Sequence, residues 1–503
     1  MEVFVMREEP DEPYPCLACA DTTNAQYTYD LEQLRFHFEG EYKDEELHQA
    51  FNPFKELSID DLTNSLNCTI KRDKVSKGIT FLNMLNSQTE DEQFNIMYSA
   101  ESSTGKSYIP MEISRYFPEK QVVELAGASP TSMIHESGVL CLDQDGKYTP
   151  IDDLIEPIQE EIEEMEFSGK RLDYEQNRHL NQLKKRIYLI RKNAKTIIDY
   201  EGKILIIIDQ RDPKLLERIR PFLSHDKKQL EFRITTNSKQ GNKTQHIILM
   251  GFSSVHFCTT NARYDDQEAT RNFVLSPESD PDKIKESLEL LNDKLADRAS
   301  YDKWLDNQPE RKALMFRIML IQALGVKRFR IWDKAKVLEG FNALHKGRFI
   351  SRYSRDLTRI YSLIYGCALL NCFNRELDSE ILIATEADMN SAFALYAEIM
   401  EANESGVPPE IYNMYKDIFV PYFNRQETGF MGMSVKDMHK AIFQKQFRHV
   451  SNERMVKDIV PALLASNLLE ETRGEDKRIP LYVPSLNINS IPHDTKLDGL
   501  LVP

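Results

Sequence analysis

The residues with the most specific chemistry stand together at Ala100-Glu101-Ser102-Ser103-Thr104-Gly105-Lys106-Ser107. Gripping a run of phosphates takes backbone N–H groups turned toward the anion, a helix start behind them, a lysine for the terminal phosphates and a hydroxyl for Mg2+. Gly105, Lys106 and Ser107 supply the turn, the cation and the hydroxyl, and the whole stretch from Ala100 to Ser107 is expected to line a nucleotide. The strict pattern opens on glycine, so alanine at position 100 is acceptable only if its backbone needs no positive φ. ATP with Mg2+ is the ligand this loop implies, with Ser107 on the metal.

Such a loop works between a buried strand and a helix. Phe94 to Ser99 reads as the strand, a helix is expected from the loop to about Tyr116, and Gln121 to Leu125 reads as a second strand. The apolar run Ile204 to Ile208 ends in Asp209, as a central parallel strand buried on both faces would, and puts a carboxylate where it can hold Mg2+ through water. Ser254 to Cys258 is a further core strand that leads to Asn261, an amide suited to orienting an attacking water. Between these strands, residues 151–200 carry apolar residues at helical spacing and predict two antiparallel helices joined near Ser168-Gly169. A helix is expected over Pro213 to Leu223. Leu230, Phe232 and Ile234 then alternate with polar residues, and His246 to Met250 returns, which predicts a β-hairpin with Gly241-Asn242 near its tip.

With 503 residues, 41% of them hydrophobic, the chain is too long for one compact core. No window approaches the apolar length of a membrane span, and the acidic start lacks the segments of a secretory signal; a cytoplasmic location and no membrane partner are expected. The seven cysteines are odd in number and scattered, which speaks for reduced thiols. Cys16 and Cys19 have the spacing of half a zinc site, but no second pair completes the tetrahedron, so zinc is not expected there. The net charge of −16 excludes a general polyanion binder, although local patches remain. One patch lies between Lys327 and Arg359, where ten Lys and Arg, including Arg348 and Arg352, face three carboxylates and are interleaved with Phe329, Trp332, Phe341, Phe349 and Tyr353. That mixture suits phosphate contact and base stacking, while more than half of those aromatics should be helix core.

After Ser276-Pro277 the chain reads as helical to about Asn424, broken at Gly406 to Pro409, and from about Gly429 three helical patterns precede a two-stranded wing. In that module Asn452 to Ala465 reads as a recognition helix bearing Lys457, and Arg473, Lys477 and Arg478 would sit on the wing. Winged helices of this kind bind DNA or serve protein contacts.

The loop, the acid-ended strand and the polar-ended strand, in this order, resemble the AAA+ branch of P-loop NTPases, where they are called Walker A, Walker B and sensor 1. Members usually have a glutamate after the Walker B aspartate to polarise the attacking water, and here Gln210 stands in its place. By this resemblance hydrolysis is slow, or a carboxylate elsewhere substitutes: Glu101 within the loop, or Glu136. Glu101 reads equally as an exposed loop charge. The resemblance also makes Arg271, in Asp265-Asp266-Gln267-Glu268-Ala269-Thr270-Arg271, the arginine that would reach a neighbouring subunit's γ-phosphate, unless it is a surface residue paired with Glu268. The hairpin between the Walker B and sensor 1 strands resembles the pre-sensor 1 insertion of replicative helicases, in which such hairpins line a central pore, and Lys239 and Lys243 near its tip would grip the strand.

Segments such as AESSTGKSYIPMEISRYFP, LAGASPTSMIHESG and FCTTNARYDDQEATRNFVLSPE are similar to the ATPase modules of helicase or primase-helicase proteins of archaea and mobile elements, over roughly residues 77–370. The expected fold class is therefore α/β: an N-terminal accessory region at 1–76, an AAA+ core with a parallel sheet at 77–280 carrying a helical insertion at 151–200, a helical lid at 281–425 and a winged-helix domain at 426–503. The implied function is an ATP-dependent DNA helicase or translocase, by this resemblance a homo-oligomer in a hexameric ring. The other class is an ATP-switched, DNA-binding assembly factor with little turnover.

Overall fold

A computed structural model describes residues 52–126, 138–144, 146–167, 173–208, 220–225, 227–238, 241–259, 270–347, 350–426, 430–473 and 478–485, with the backbone alone at 234–238 and 241–245. The chain forms two compact units: residues 1–127, 204–211 and 254–503, and residues 128–203 and 212–253.

The first unit is built on a five-stranded, all-parallel sheet in the order β10-β1-β9-β6-β2. Its strands are β1 (Asn95–Ser99), β2 (Val122–Leu125), β6 (Ile204–Ile207), β9 (Ser254–Thr259) and β10 (Asn272–Leu275). Every residue of β1, β6, β9 and β10 is buried, the signature of parallel strands covered on both faces, whereas β2 is half-exposed at the edge. Because all five run the same way, Ser99, Leu125, Ile207, Thr259 and Leu275 end at one edge of the sheet.

Helices α1 (Ile59–Ser65), α2 (Lys74–Asn86) and α3 (Tyr108–Ser114) flank this sheet. Ser58 and Asp61 form a capping box that starts α1. Helix α2 is buried along nearly all of its length between the sheet and the later helices. The chain after β10 is helical, as expected: α6 (Pro281–Ala296), α7 (Arg298–Asp306), α8 (Pro309–Leu324), α9 (Lys334–Leu344), α10 (Tyr353–Leu370) and α11 (Glu386–Ser405). It also holds a small sheet that the periodicity did not reveal, β11 (Arg328–Ile331), β13 (Ile381–Ala384) and β12 (Leu377–Asp378). One hydrophobic cluster runs from Phe54 through β1 and α2 to Ile399, so residues on both sides of position 280 share a core.

A second cluster, from Ala402 to Tyr482, holds the C-terminal part together. Three helical runs enclose it: 409–424, α12 (Val435–Gln446) and 452–465. An antiparallel hairpin follows, β14 (Leu469–Arg473) and β15 (Pro480–Pro484), and Met433 bridges to Tyr482 beside it. The first of the three helices thus lies before Gly429, because Ile411, Tyr415 and Phe419 turn their apolar sides into this core.

The second unit contains the helical hairpin, α4 (Ile151–Phe167) and α5 (Tyr174–Asn193), joined where expected. Ile151, Ile155, Ile158 and Ile162 form one stripe at helical spacing and pack against Leu180, Leu183 and Ile190. The same unit has a five-stranded mixed sheet, β4-β3-β5-β8-β7. It comprises β3 (Val139–Gln144), β4 (Lys147–Pro150), β5 (Lys195–Asp199) and the expected hairpin strands β7 (Gln229–Ser238) and β8 (Gly241–Met250). The hairpin is therefore not isolated: β8 pairs in parallel with β5, a strand that lies in the stretch expected to be wholly helical. Among the described residues no helix is long and apolar enough to cross a membrane. The possible helix near Asp44 to Phe51, most of that expected at 213–223, and Cys16 and Cys19 lie outside the described residues.

At the centre of β9, His256 is fully buried and hydrogen-bonds Ser254 at 2.9 Å. Burial lowers its pKa from 6.5 to about 3, so the unfolded chain takes up a proton below pH 6.5 that the folded chain refuses until about pH 3. Stability is therefore present above pH 6.5 and lost as the pH falls toward 3. Between pH 7 and pH 4.5 this residue should cost about 2 kcal/mol, and His256→Gln should flatten that part of the profile. Equal acid slopes for the two proteins in thermal melts would sink the assignment.

Candidate nucleotide site

The loop 100–107 leaves the end of β1, which has β9 on one side and β10 on the other. Its root is tied to both neighbours: the Ala100 N–H donates to the Thr259 carbonyl at 3.5 Å, and the Ser276 hydroxyl donates to the Ser99 carbonyl at 2.7 Å. Ala100 is buried and is not among the residues with positive φ, which removes the need for glycine at that position. The left-handed conformations fall instead at Ser103, φ +67°, and Gly105, φ +93°. A side chain on Gly105 would find no atom within 4 Å, so it is the φ and not packing that calls for glycine there. The Thr104 hydroxyl closes the loop on the Glu101 carbonyl at 2.8 Å. The chain then enters α3, where Ile109 N–H reaches the Gly105 carbonyl at 3.2 Å and Met111 N–H the Ser107 carbonyl at 3.3 Å.

A turn with two left-handed residues gathers backbone amides into a concavity for an anion. Ser102, Ser103 and Thr104 form its rim, and Lys106 and Ser107, both half-buried, close it. These residues fit a nucleotide phosphate with a divalent cation: Lys106 would hold the terminal phosphates and Ser107 the metal. The described strand ends Ile207 and Thr259 lie at the same edge as the loop, and Asp209 and Asn261, respectively, follow them by two residues in the sequence. They themselves lie outside the described residues, as do Gln210, Glu136, Lys239, Arg348 and Lys477, and of Lys243 only the backbone, paired with Thr236, is described.

Glu101 is not a free loop charge. Its carboxylate is bound by Arg448, and by Arg454 at 2.8 Å, and both guanidiniums also hold Glu410, Arg448 at 2.9 Å and Arg454 at 2.8 Å. Glu410 is 3% exposed. Burial pushes its carboxyl up, and Arg454 and Arg448 pull it further down, so that it titrates below the usual range. A carboxylate engaged by two guanidiniums is not free to take up an attacking water, which weighs against Glu101 as the base. Glu410 and Arg454 had no signal in the sequence, because 347 residues separate Glu101 from Arg448 and nothing local marks the pairing.

Arg271 precedes β10 and so stands at the opposite edge of the sheet from the loop, with its carbonyl taking a hydrogen bond from Asn95 at 3.4 Å. The four residues of β10 span about 13 Å at ~3.3 Å per residue, so an Arg271 that met a phosphate would meet one on another copy. Helix α10 holds this segment. Arg355 donates to the Thr270 hydroxyl at 2.6 Å, Arg359 to the Thr270 carbonyl, and the Arg359 guanidinium lies 5.0 Å from the Phe273 ring centre.

Part of the basic run is paired with residues distant in sequence. Arg328 meets Glu90 at 3.2 Å, Arg330 meets Asp378 at 2.9 Å and Lys336 meets Glu386 at 3.1 Å. Lys327 donates to the Gln88 carbonyl at 2.7 Å. Arg352, expected to face DNA, is instead buried at 8% exposure, bonded to Asp356 at 2.9 Å and to the Asn403 carbonyl. A guanidinium committed there is spent on the core. Phe341 and Tyr353 are core residues, and Phe329 and Trp332 pack against the same cluster. Lys457, paired with Glu453 at 2.7 Å, and Arg478 are both exposed on the C-terminal part.

The chain matches no protein-family model and no curated protein. What is established is an α/β fold on a five-stranded parallel sheet, with a glycine- and lysine-bearing loop at the end of a central strand.

Asp356 is shared between Arg352 and Arg359, both at 2.9 Å and all three buried. Burial lowers the Arg359 pKa to about 10 in spite of that carboxylate. Arg359→Met should cost about 3 kcal/mol, since it half-orphans a buried charge and releases the Thr270 carbonyl. Denaturant titration of the two proteins reads this directly, and superimposable curves would refute it.

Proposed function

We propose that the chain is a P-loop ATPase of the AAA+ type that binds Mg2+-ATP at Ala100 to Ser107 and works on DNA as a ring-forming helicase or translocase. The observation that carries this reading is the loop's place in the strand order. Neighbouring strands lie about 4.8 Å apart, so a row along the sheet edge runs from the phosphate loop after β1, to the chain leading to Asn261 after β9, to the chain leading to Asp209 after β6. Phosphates, an attacking water and a metal need that sequence of groups at that spacing. Arg271, at the far edge, is where a residue that completes another copy's site belongs, which supports a homo-oligomer.

Two features support DNA as the partner. The hairpin β7–β8 pairs over ten residues per strand, but β5 supports only Ile247 to Met250 among the described residues. The outer part extends by roughly 20 Å at ~3.4 Å per residue, and the backbone of Lys243 pairs with Thr236 in it. The C-terminal part has three helices and an antiparallel hairpin, the parts of a winged helix, with Lys457 and Arg478 exposed.

A second reading has its own support. Gln210 replaces the usual glutamate and Glu101 is held by two arginines, so neither offers a ready base. An ATP-switched assembly factor that binds nucleotide on DNA and turns it over slowly fits this chemistry.

Nucleotide binding and single-turnover hydrolysis, with and without single-stranded DNA, separate the readings. The motor requires DNA-stimulated hydrolysis that disappears in Lys106→Ala, along with at least about tenfold weaker ATP binding. Arg271→Ala should retain binding and lose hydrolysis, and be complemented in mixed assemblies by Lys106→Ala subunits that donate their Arg271. Tight ATP binding with negligible turnover would favour the switch, and no ATP binding at all would defeat both.

A further inference from the structure

Charges join the phosphate loop to the C-terminal three-helix part. Glu101, the first loop residue after the buried Ala100, accepts from Arg448 and Arg454, and both arginines come from the segment that opens the 452–465 helix. Glu410, at the start of the 409–424 helix, faces the same two guanidiniums from the other side. Two carboxylates and two guanidiniums balance in charge, yet the hydrogen bonding is one acceptor short: among the described residues Arg448 Nη1 is buried and has no partner. Glu410 is almost wholly buried and fixes the arginines within the C-terminal part, whereas Glu101 is 33% exposed and belongs to the loop. The cluster thus has a buried half, Glu410, in the C-terminal part and a partly exposed half, Glu101, at the loop.

We infer that Arg448 and Arg454 are positioning residues of the nucleotide site, which hold the phosphate loop through Glu101 and so link its occupancy to the seating of the C-terminal three-helix part. This rests on the reading of 100–107 as a nucleotide site. A phosphate brought to the loop places negative charge beside Glu101, repels that carboxylate and offers the acceptor that Arg448 Nη1 lacks; the exchange loosens or re-forms the seat. Linkage runs both ways, so whatever displaces the C-terminal part changes nucleotide affinity by the same factor. Arg454 lies in the first turn of the helix whose N-terminal residues would read DNA, so it serves the loop or a DNA groove, one at a time.

Hydrogen exchange of the full chain, with and without Mg2+ and ATPγS, tests this in the wild type, Glu101→Gln and Arg454→Lys. Glu101→Gln leaves Glu410 with both arginines, so the C-terminal fold is kept; Arg454→Lys keeps a charge on Glu410 but loses the fork that spans two carboxylates. Binding of a fluorescent ATP analogue is measured on the same samples. In the wild type, nucleotide should change the exchange of amides in 448–459 by at least about threefold. In both variants those amides should exchange faster before nucleotide is added and respond little to it. A wild type that binds nucleotide with 448–459 unmoved overturns the inference, as do variants that respond like the wild type. If no protein binds nucleotide, the reading of the loop fails, and the apo comparison still decides the clamp: faster exchange of 448–459 in Glu101→Gln supports it, equal exchange overturns it.

Discussion

Burial of β1 on both faces and both edges is the constraint from which the rest of the first unit follows. A strand whose five residues are all buried, with parallel partners on each side, cannot slide or twist without exposing apolar side chains or unpairing its backbone. Its end is consequently a fixed point, and the loop that leaves it starts from a known place in a known direction. The bonds from Ala100 to Thr259 and from Ser276 to Ser99 fasten that point to β9 and β10. The left-handed conformation costs nothing at Gly105, and at Ser103 it is held by a turn rooted on a strand buried on both faces.

The charged groups around this core divide into two kinds. Asp356 with Arg352 and Arg359, and Asp73 with Lys283, are buried pairs that join elements far apart in sequence. Removing one member would leave the other unpaired in a poorly hydrated place, so they act as rigid ties. The Glu101 cluster has one half in the core and the other at the loop, and a charge arriving at the loop can compete for it. The first kind makes the start of β10, and Arg271 with it, a fixed part of the fold; the second ties the loop to the C-terminal part.

The two stretches inserted between β2 and β6 and between β6 and β9 show how differently local and tertiary signals read. Each has clear local patterning: the isoleucine stripe of α4 at helical spacing, and the alternation of Leu230 and Phe232 in β7. Nothing local says that the two insertions make one unit. The parallel pairing of Thr196–Asp199 with Ile247–Met250 does, and one of its two strands, β5, is hard to distinguish from the helix before it. Lys195 to Asp199 follows directly on a twenty-residue helix, and its short apolar run continues the helical spacing.

What the sequence determined by itself was whatever depends on near neighbours: the buried strands β1, β6 and β9 from their short apolar runs, continuous in β6, the turn at Gly105 and Lys106, the helical hairpin and the β-hairpin. Such features are set by backbone sterics and by spacing of apolar side chains, both short-range. Tertiary structure decided the strand order, which puts β9 between β1 and β6, and it decided what each charge is for. Ten positive residues between Lys327 and Arg359 read as a patch in one dimension; in three, Arg328, Arg330 and Lys336 meet Glu90, Asp378 and Glu386, and Arg352 and Arg359 are buried in the core. Glu101 read as a base or a bare loop charge and is held by arginines from the other end of the chain. Charge acts through space over several ångströms regardless of sequence separation, so only the folded chain assigns each charge its partner.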